Sequence, residues 1–163
     1  MEAWDTSPEK AQELRLDQWG TPEEVKAMAA PMRKASDRRA AMEYLKEIAL
    51  ASPFTSRSGL SARLPRRSAG KLVSSVAVHS SFSPEAHYLA AANIDKFFSN
   101  AIEPWFFELN PNKNNEGIKA RHYLFSPMEY QGRIVIIKFT VKEYSKAENK
   151  LYSIEALDIV QKK

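Results

Sequence analysis

The chain of 163 residues contains no cysteine, only five glycines and only three histidines. Without cysteine there is no disulfide framework, no thiolate metal site and no cysteine nucleophile. The histidines, His79, His87 and His122, show neither HxxxH nor HxH spacing, so no metal site is expected. Gly59, Gly70, Gly117 and Gly132 are too scattered to form a phosphate-cradling loop, and no cofactor is implied. No apolar run approaches the ~20 residues a membrane span requires. The first residues, Met-Glu-Ala-Trp-Asp, lack the basic and apolar regions of a signal peptide. A cytoplasmic working place is therefore expected, although a cysteine-free chain also suits a protein that is injected or exported unfolded. The ending Val160-Gln-Lys-Lys163, directly after a strand, reads as a natural C-terminus or a trimmed domain.

Acidic residues are also missing from one long window. The net charge is +4, yet residues 48–84 hold Arg57, Arg63, Arg66, Arg67 and Lys71 and no acid at all. The rest of the chain is balanced, so this window carries the positive excess. A basic stretch free of acids can neutralise phosphates, the usual source of sequence-independent nucleic-acid affinity. It can equally be a solvated loop, and both readings stay open.

Residues 1–8 read as frayed. Thr21-Pro22-Glu23-Glu24 opens a helix: threonine caps it, proline fits the first turn, and the acids suit the positive end. Pro31 breaks it. A second helix runs from Ala35 to Leu50, with Ala41, Tyr44, Leu45 and Ile48 on one side, and Ser52-Pro53 ends it. A short strand is expected around Leu60–Leu64. Ser68 is placed as the cap of a helix through Lys71, Leu72, Val73, Val76 and Ala77. Ser83-Pro84-Glu85 starts another, running to about Asn100. Trp105, Phe106 and Phe107 form an aromatic anchor, and residues 110–117 a polar loop.

The C-terminal part alternates in the manner of strands. It predicts a three-stranded antiparallel meander over 121–129, 133–143 and 150–160. A three-residue loop Tyr130-Gln131-Gly132 sets Tyr123 against Phe139 and His122 against Thr140. Matching opposite charges in the second hairpin sets Glu143 against Lys150 and Lys138 against Glu155. One face then holds Tyr123, Phe125, Val135, Ile137, Phe139, Val141, Tyr152, Ile154 and Ala156 as core, covered by the helix of 84–100. The other presents a polar centre of His122, Lys138, Thr140, Ser153 and Glu155. The fold class is thus α+β, N-terminal helices followed by a mainly antiparallel sheet, with helices packed on one face. Residues 1–52 are expected as a helical segment and 53–163 as the α+β domain.

An imidazole, an ammonium, a carboxylate and two hydroxyls in adjacent rows are the parts for acid–base cleavage of a phosphodiester. His122 or Glu155 would be acid or base, with Lys138 and Arg121 stabilising charge. His79 and His87 compete for the same role, and Lys71 is a candidate phosphate contact. A plain surface ion pair beside a histidine is the competing reading.

The order Arg-His-Tyr-Leu-Phe (121–125), Gly-Arg-Ile-Val-Ile-Ile-Lys-Phe-Thr-Val-Lys-Glu-Tyr (132–144) and Lys-Leu-Tyr-Ser-Ile-Glu-Ala-Leu-Asp-Ile (150–159) resembles domains of the large polyvalent proteins of bacteriophages and conjugative elements. The resemblance covers roughly residues 58–160. Such domains resemble in turn the barnase–EndoU–colicin–RelE class, in which helices precede a four-stranded antiparallel sheet that cleaves RNA. It implies a metal-independent, toxin-like or mobile-element-associated endoribonuclease. The alternative is a non-catalytic module that binds nucleic acid or protein, with helices 21–50 docking a protein such as an immunity protein.

Overall fold

The computed structural model describes residues 20–79, 81, 83–108, 118–146 and 149–160. The expectations for residues 1–8 and 110–117 lie outside them. Helix α1 spans Pro22–Met28 and begins as expected: Thr21 and Glu24 form a reciprocal capping box and Pro22 takes the first position. Helix α2, Arg38–Ala51, starts at the Asp37 cap, three residues after the expected Ala35, and stops at Ser52. A two-stranded hairpin follows, β1 (Phe54–Thr55) with β2 (Ser61–Ala62).

The expected single helix through 77 is two short ones, α3 (Arg66–Leu72) and α4 (Ser75–His79). Pro65, not Ser68, holds the cap position, which places Ser68 inside the helix. The 84–100 helix likewise divides into α5 (Pro84–Ala92) and α6 (Ile94–Ser99). The break is Asn93, fully buried, whose side-chain oxygen accepts from the Arg33 N–H at 2.8 Å. Its amide donates back to the Arg33 carbonyl at 2.8 Å and to that of Leu89 at 2.9 Å. The Arg33 guanidinium completes the clamp with two bonds to the Asp95 carboxylate, 2.8 and 3.0 Å.

The sheet has four antiparallel strands in chain order: β3 (Ile102–Glu108), β4 (Ile118–Tyr130), β5 (Arg133–Lys146) and β6 (Asn149–Val160). The α+β class and the meander hold. The segment read as an aromatic anchor is strand β3, and its register shifts between Ile102 and Trp105, where Pro104 has no N–H for the ladder.

Both hairpin registers differ from expectation. The first closes on Tyr130 and Arg133 with a two-residue loop, Gln131 at φ 52° and Gly132 at φ 79°. Positive φ at both positions is the signature of the turn that matches strand twist. Glu129 stands opposite Ile134, and its carboxylate accepts from the Gly132 N–H at 2.8 Å. This one-residue shift turns β4 over. Leu124 and Met128 face the helices with Val135, Ile137, Phe139 and Val141, while Tyr123 and Phe125 face the other way.

In the second hairpin Glu143 opposes Tyr152 and Val141 opposes Ile154, an even offset that keeps those residues on the predicted side. A bulge between Thr140 and Val141 then sets Phe139 against Leu157 and Lys138 against Asp158. Leu157 and Ile159 turn inward there, and Ala156 does not.

The helix-facing core draws on both parts of the chain. Ala41, Leu45 and Ile48 of α2 share one buried cluster with Leu72, Phe97, Phe98 and the sheet. The Phe98 and Phe139 rings meet edge to face at 5.4 Å. On the opposite face Phe125, Ile136 and Val160 form a second, smaller buried cluster with Tyr123 packed against it. Among the described residues no helix is long and apolar enough to cross a membrane.

Candidate functional site

Because β4 is turned over, His122 sits on the helix-facing side of the sheet, opposite Val141 rather than Thr140. There it meets one residue from each of the other strands. Its Nδ1 is hydrogen-bonded to the Glu103 carboxylate of β3. Its Nε2 lies 2.9 Å from Oε1 of Glu143 on β5. The Tyr152 ring of β6 stands edge-on to the imidazole, centroids 5.5 Å apart. The bulge at Pro104 is what brings Glu103 within reach, and strand parity brings Glu143.

His122 and Glu143 are each 6% exposed, so their interaction is little screened. Both ring nitrogens face carboxylates, and only an imidazolium can donate to two acceptors at once. Burial by itself lowers the His122 pKa; hydrogen bonds and charge from Glu103 and Glu143 outweigh it and hold the pKa above the ordinary imidazole value. Burial, then the charges of Glu143 and Glu103, push the Tyr152 hydroxyl up. The Glu103 side chain, 17% exposed, is the more open of the two carboxylates. The imidazole is thus held between two carboxylates, of which Glu103 is the more open. Among the described residues no group of three His, Cys, Asp or Glu side chains is disposed to hold a metal ion.

The acid-free basic window runs beside this cluster. The Ser58 hydroxyl accepts from the Glu103 N–H at 3.2 Å. The Arg63 N–H donates to the Tyr152 carbonyl at 2.9 Å, and the Ile154 N–H to the Arg63 carbonyl at 2.8 Å. Arg57, Arg63, Arg66, Arg67 and Lys71 are all exposed.

The other expected site residues lie elsewhere. Lys138 and Thr140 are on the opposite side of β5 from Glu143, with the Lys138 ammonium 5.4 Å from the centre of the Tyr123 ring. Ser153 and Glu155 sit at the β6 bulge, joined by a 2.6 Å hydrogen bond from the serine hydroxyl. Arg121, next to His122 along β4, is on the face away from it. The predicted row of His122, Thr140 and Ser153 is therefore not assembled, and neither is the Lys138–Glu155 pair.

His79 is exposed on α4, its Nδ1 2.7 Å from the Ser75 carbonyl. His87 is fully buried, with Nε2 2.6 Å from the Leu72 carbonyl and Nδ1 2.5 Å from the Ser81 hydroxyl. The carbonyl accepts the Nε2 proton, so Nδ1 accepts from Ser81, whose oxygen also accepts from the Ile159 N–H at 3.0 Å. Burial pushes the His87 pKa down. His87 thus ties α5 to α3 and β6.

Glu103, Glu143 and Tyr152 went unnamed in the sequence reading as site residues. Glu143 carried a signal: it shares the alternation of Phe139 and Val141, which puts a carboxylate on an apolar face. Glu103 carried none, because a bulge decides where it points.

A family model for large polyvalent protein-associated domain 3 matches residues 32–152. The chain belongs to that family. The matched span contains Glu103, His122, Glu143 and Tyr152, together with the basic window, and leaves out α1 and the last part of β6. It also crosses residue 52, so α2 is part of what this polyvalent-protein domain shares with its family. No curated protein and no solved structure gives a significant match.

Proposed function

We propose that this domain acts on RNA and that the Glu103–His122–Glu143 cluster performs acid–base cleavage of the phosphodiester backbone. The observation that carries this reading is an imidazole held between two carboxylates beside a segment whose only charged residues are cations.

Glu103, the more open carboxylate, takes the proton of the 2′-hydroxyl. The 2′-oxygen bonds to phosphorus and the bond from phosphorus to the 5′-oxygen breaks. As Glu103 turns to the substrate, His122 gives its freed Nδ1 proton to the leaving oxygen, while Glu143 keeps hold of Nε2 and fixes the ring. The products are a 2′,3′-cyclic phosphate and a 5′-hydroxyl.

Incubation of the purified protein with total and transfer RNA in EDTA tests this. Cyclic-phosphate ends should appear, and His122→Ala should slow cleavage on the order of 10²- to 10⁴-fold. Intact RNA at micromolar protein overturns the reading. The exposure of all five basic residues in the window favours a second one, a module that binds RNA without cutting it. It would show steep salt dependence of binding, lost in an Arg63→Gln, Arg66→Gln, Arg67→Gln variant, with the RNA intact.

A further inference from the structure

Glu103, His122 and Glu143 each have a part in the proposed cleavage, and Tyr152 has none. Yet the sheet holds it in place beside them. Tyr152 stands opposite Glu143 across β5 and β6, and its ring meets the His122 imidazole edge to face at 5.5 Å and 72°. The ring packs against the helix-facing core, which leaves the residue half-buried. Its hydroxyl has no hydrogen-bond partner among the described residues. Nor is it sealed away, since the one enclosed side-chain atom without a partner among them is the Ser68 hydroxyl. Burial and the charges of Glu143 and Glu103 keep its proton on. Tyr152 therefore presents a fixed, neutral donor, open to solvent, beside the two carboxylates.

What the donor serves follows from what the cluster lacks. As the 2′-oxygen bonds to phosphorus, negative charge grows on the non-bridging oxygens, and preorganised donors stabilise it. Carboxylates accept hydrogen bonds and cannot fill that place. The Nδ1 proton of His122 goes to the leaving oxygen, and its Nε2 proton stays with Glu143. Lys138 and Arg121, the expected charge stabilisers, lie on the other face of the sheet. Of the clustered side chains, the Tyr152 hydroxyl alone has a proton to offer.

We infer that Tyr152 is a catalytic residue whose hydroxyl donates to a non-bridging oxygen of the scissile phosphodiester. The role rests on the cleavage reading above and supplies the charge stabilisation that reading leaves open.

Tyr152→Phe removes the hydroxyl and keeps the ring, and unchanged His87 ring signals in NMR show that the variant is folded. RNA cleavage should slow on the order of 10²-fold in kcat, with KM changed far less. Sulfur accepts hydrogen bonds poorly, so a phosphorothioate in place of one non-bridging oxygen should slow the wild-type protein. In Tyr152→Phe the same sulfur should cost little, a loss that a purely structural role would not produce. Full activity in Tyr152→Phe overturns the assignment and leaves the cleavage reading standing. So does a slowed variant whose sulfur effect equals that of the wild type, tested with both phosphorothioate stereoisomers.

If the wild-type protein leaves RNA intact, the cleavage reading falls and binding decides the rest. A short 2′-O-methyl RNA oligonucleotide, which cannot be cleaved, is titrated into protein labelled for NMR at its tyrosine Cζ atoms. The Tyr152 signal, assigned by its absence from Tyr152→Phe, should move, and the variant should bind at least about twofold more weakly. An unmoved signal, or equal binding by the variant, overturns the contact as well.

Discussion

Single residues in this chain are governed by what lies on either side of them in space. Ser68 shows this in its simplest form. Its hydroxyl, buried in α3, has no hydrogen-bond partner among the described residues, an arrangement that costs about 1–3 kcal/mol. Ser68→Ala should therefore raise stability by roughly 1 kcal/mol, seen as a higher urea midpoint with unchanged slope. A lower midpoint would show that the oxygen is satisfied. The sequence made Ser68 look like a cap because serine, lysine and spaced apolar residues follow in order. The proline three residues earlier takes that place instead, having the extended backbone a cap needs. His122 was legible as a polar member of the meander, but its partners were not. They depend on which side of β4 it occupies, and that is set nine residues away by a turn.

At the level of elements, the strands could be read from alternation and their pairing could not. A hairpin register is an integer chosen by its loop, and Tyr130-Gln131-Gly132 allows either two or three loop residues. Glycine at the third of these positions argued for three. The Glu129 carboxylate finds the Gly132 N–H, and two results. The same turn holds Gln131 at φ 52°, costing a side-chain-bearing residue about 1–2 kcal/mol relative to glycine. Gln131→Gly should recover part of that, about 0.5–1 kcal/mol after the entropy of the unfolded chain is set against it. A chemical denaturation curve checks it, and a loss of stability would contradict the two-residue turn. The β3 strand escaped notice because Pro104 and three successive aromatics break alternation. The split of α5 from α6 escaped because Asn93 is held from outside its own helix, by Arg33 some sixty residues away.

For the whole molecule, two buried histidines pull pH dependence in opposite directions. His122 has its pKa raised by folding, so its stabilisation is complete below the unfolded imidazole value near 6.5 and is lost as pH climbs through the higher folded value. His87 has its pKa lowered, so stability falls as pH drops below about 6.5 toward the depressed folded value. Stability should therefore pass through a maximum around neutrality. In urea midpoints measured from about pH 5 to 9, His122→Gln should flatten the alkaline side and His87→Gln the acid side. An alkaline limb that is unchanged in His122→Gln would mean that the imidazole does not ionise between its carboxylates. Neither limb could be foreseen from the chain, because both come from burial and partners that only the assembled fold supplies.

The hairpin of β1 and β2 also joins the two margins of the sheet. Strand β3 is bonded to β4, β4 to β5, β5 to β6, β6 to Arg63, and the chain leads back from Arg63 through the hairpin to Ser58 and β3. In cross-section this is a closed ring around the imidazole, though the sheet itself is open. A ring has no end from which to unzip. The two margins of the sheet are therefore tied to a common fate, and the interior of the ring is kept or lost as a unit.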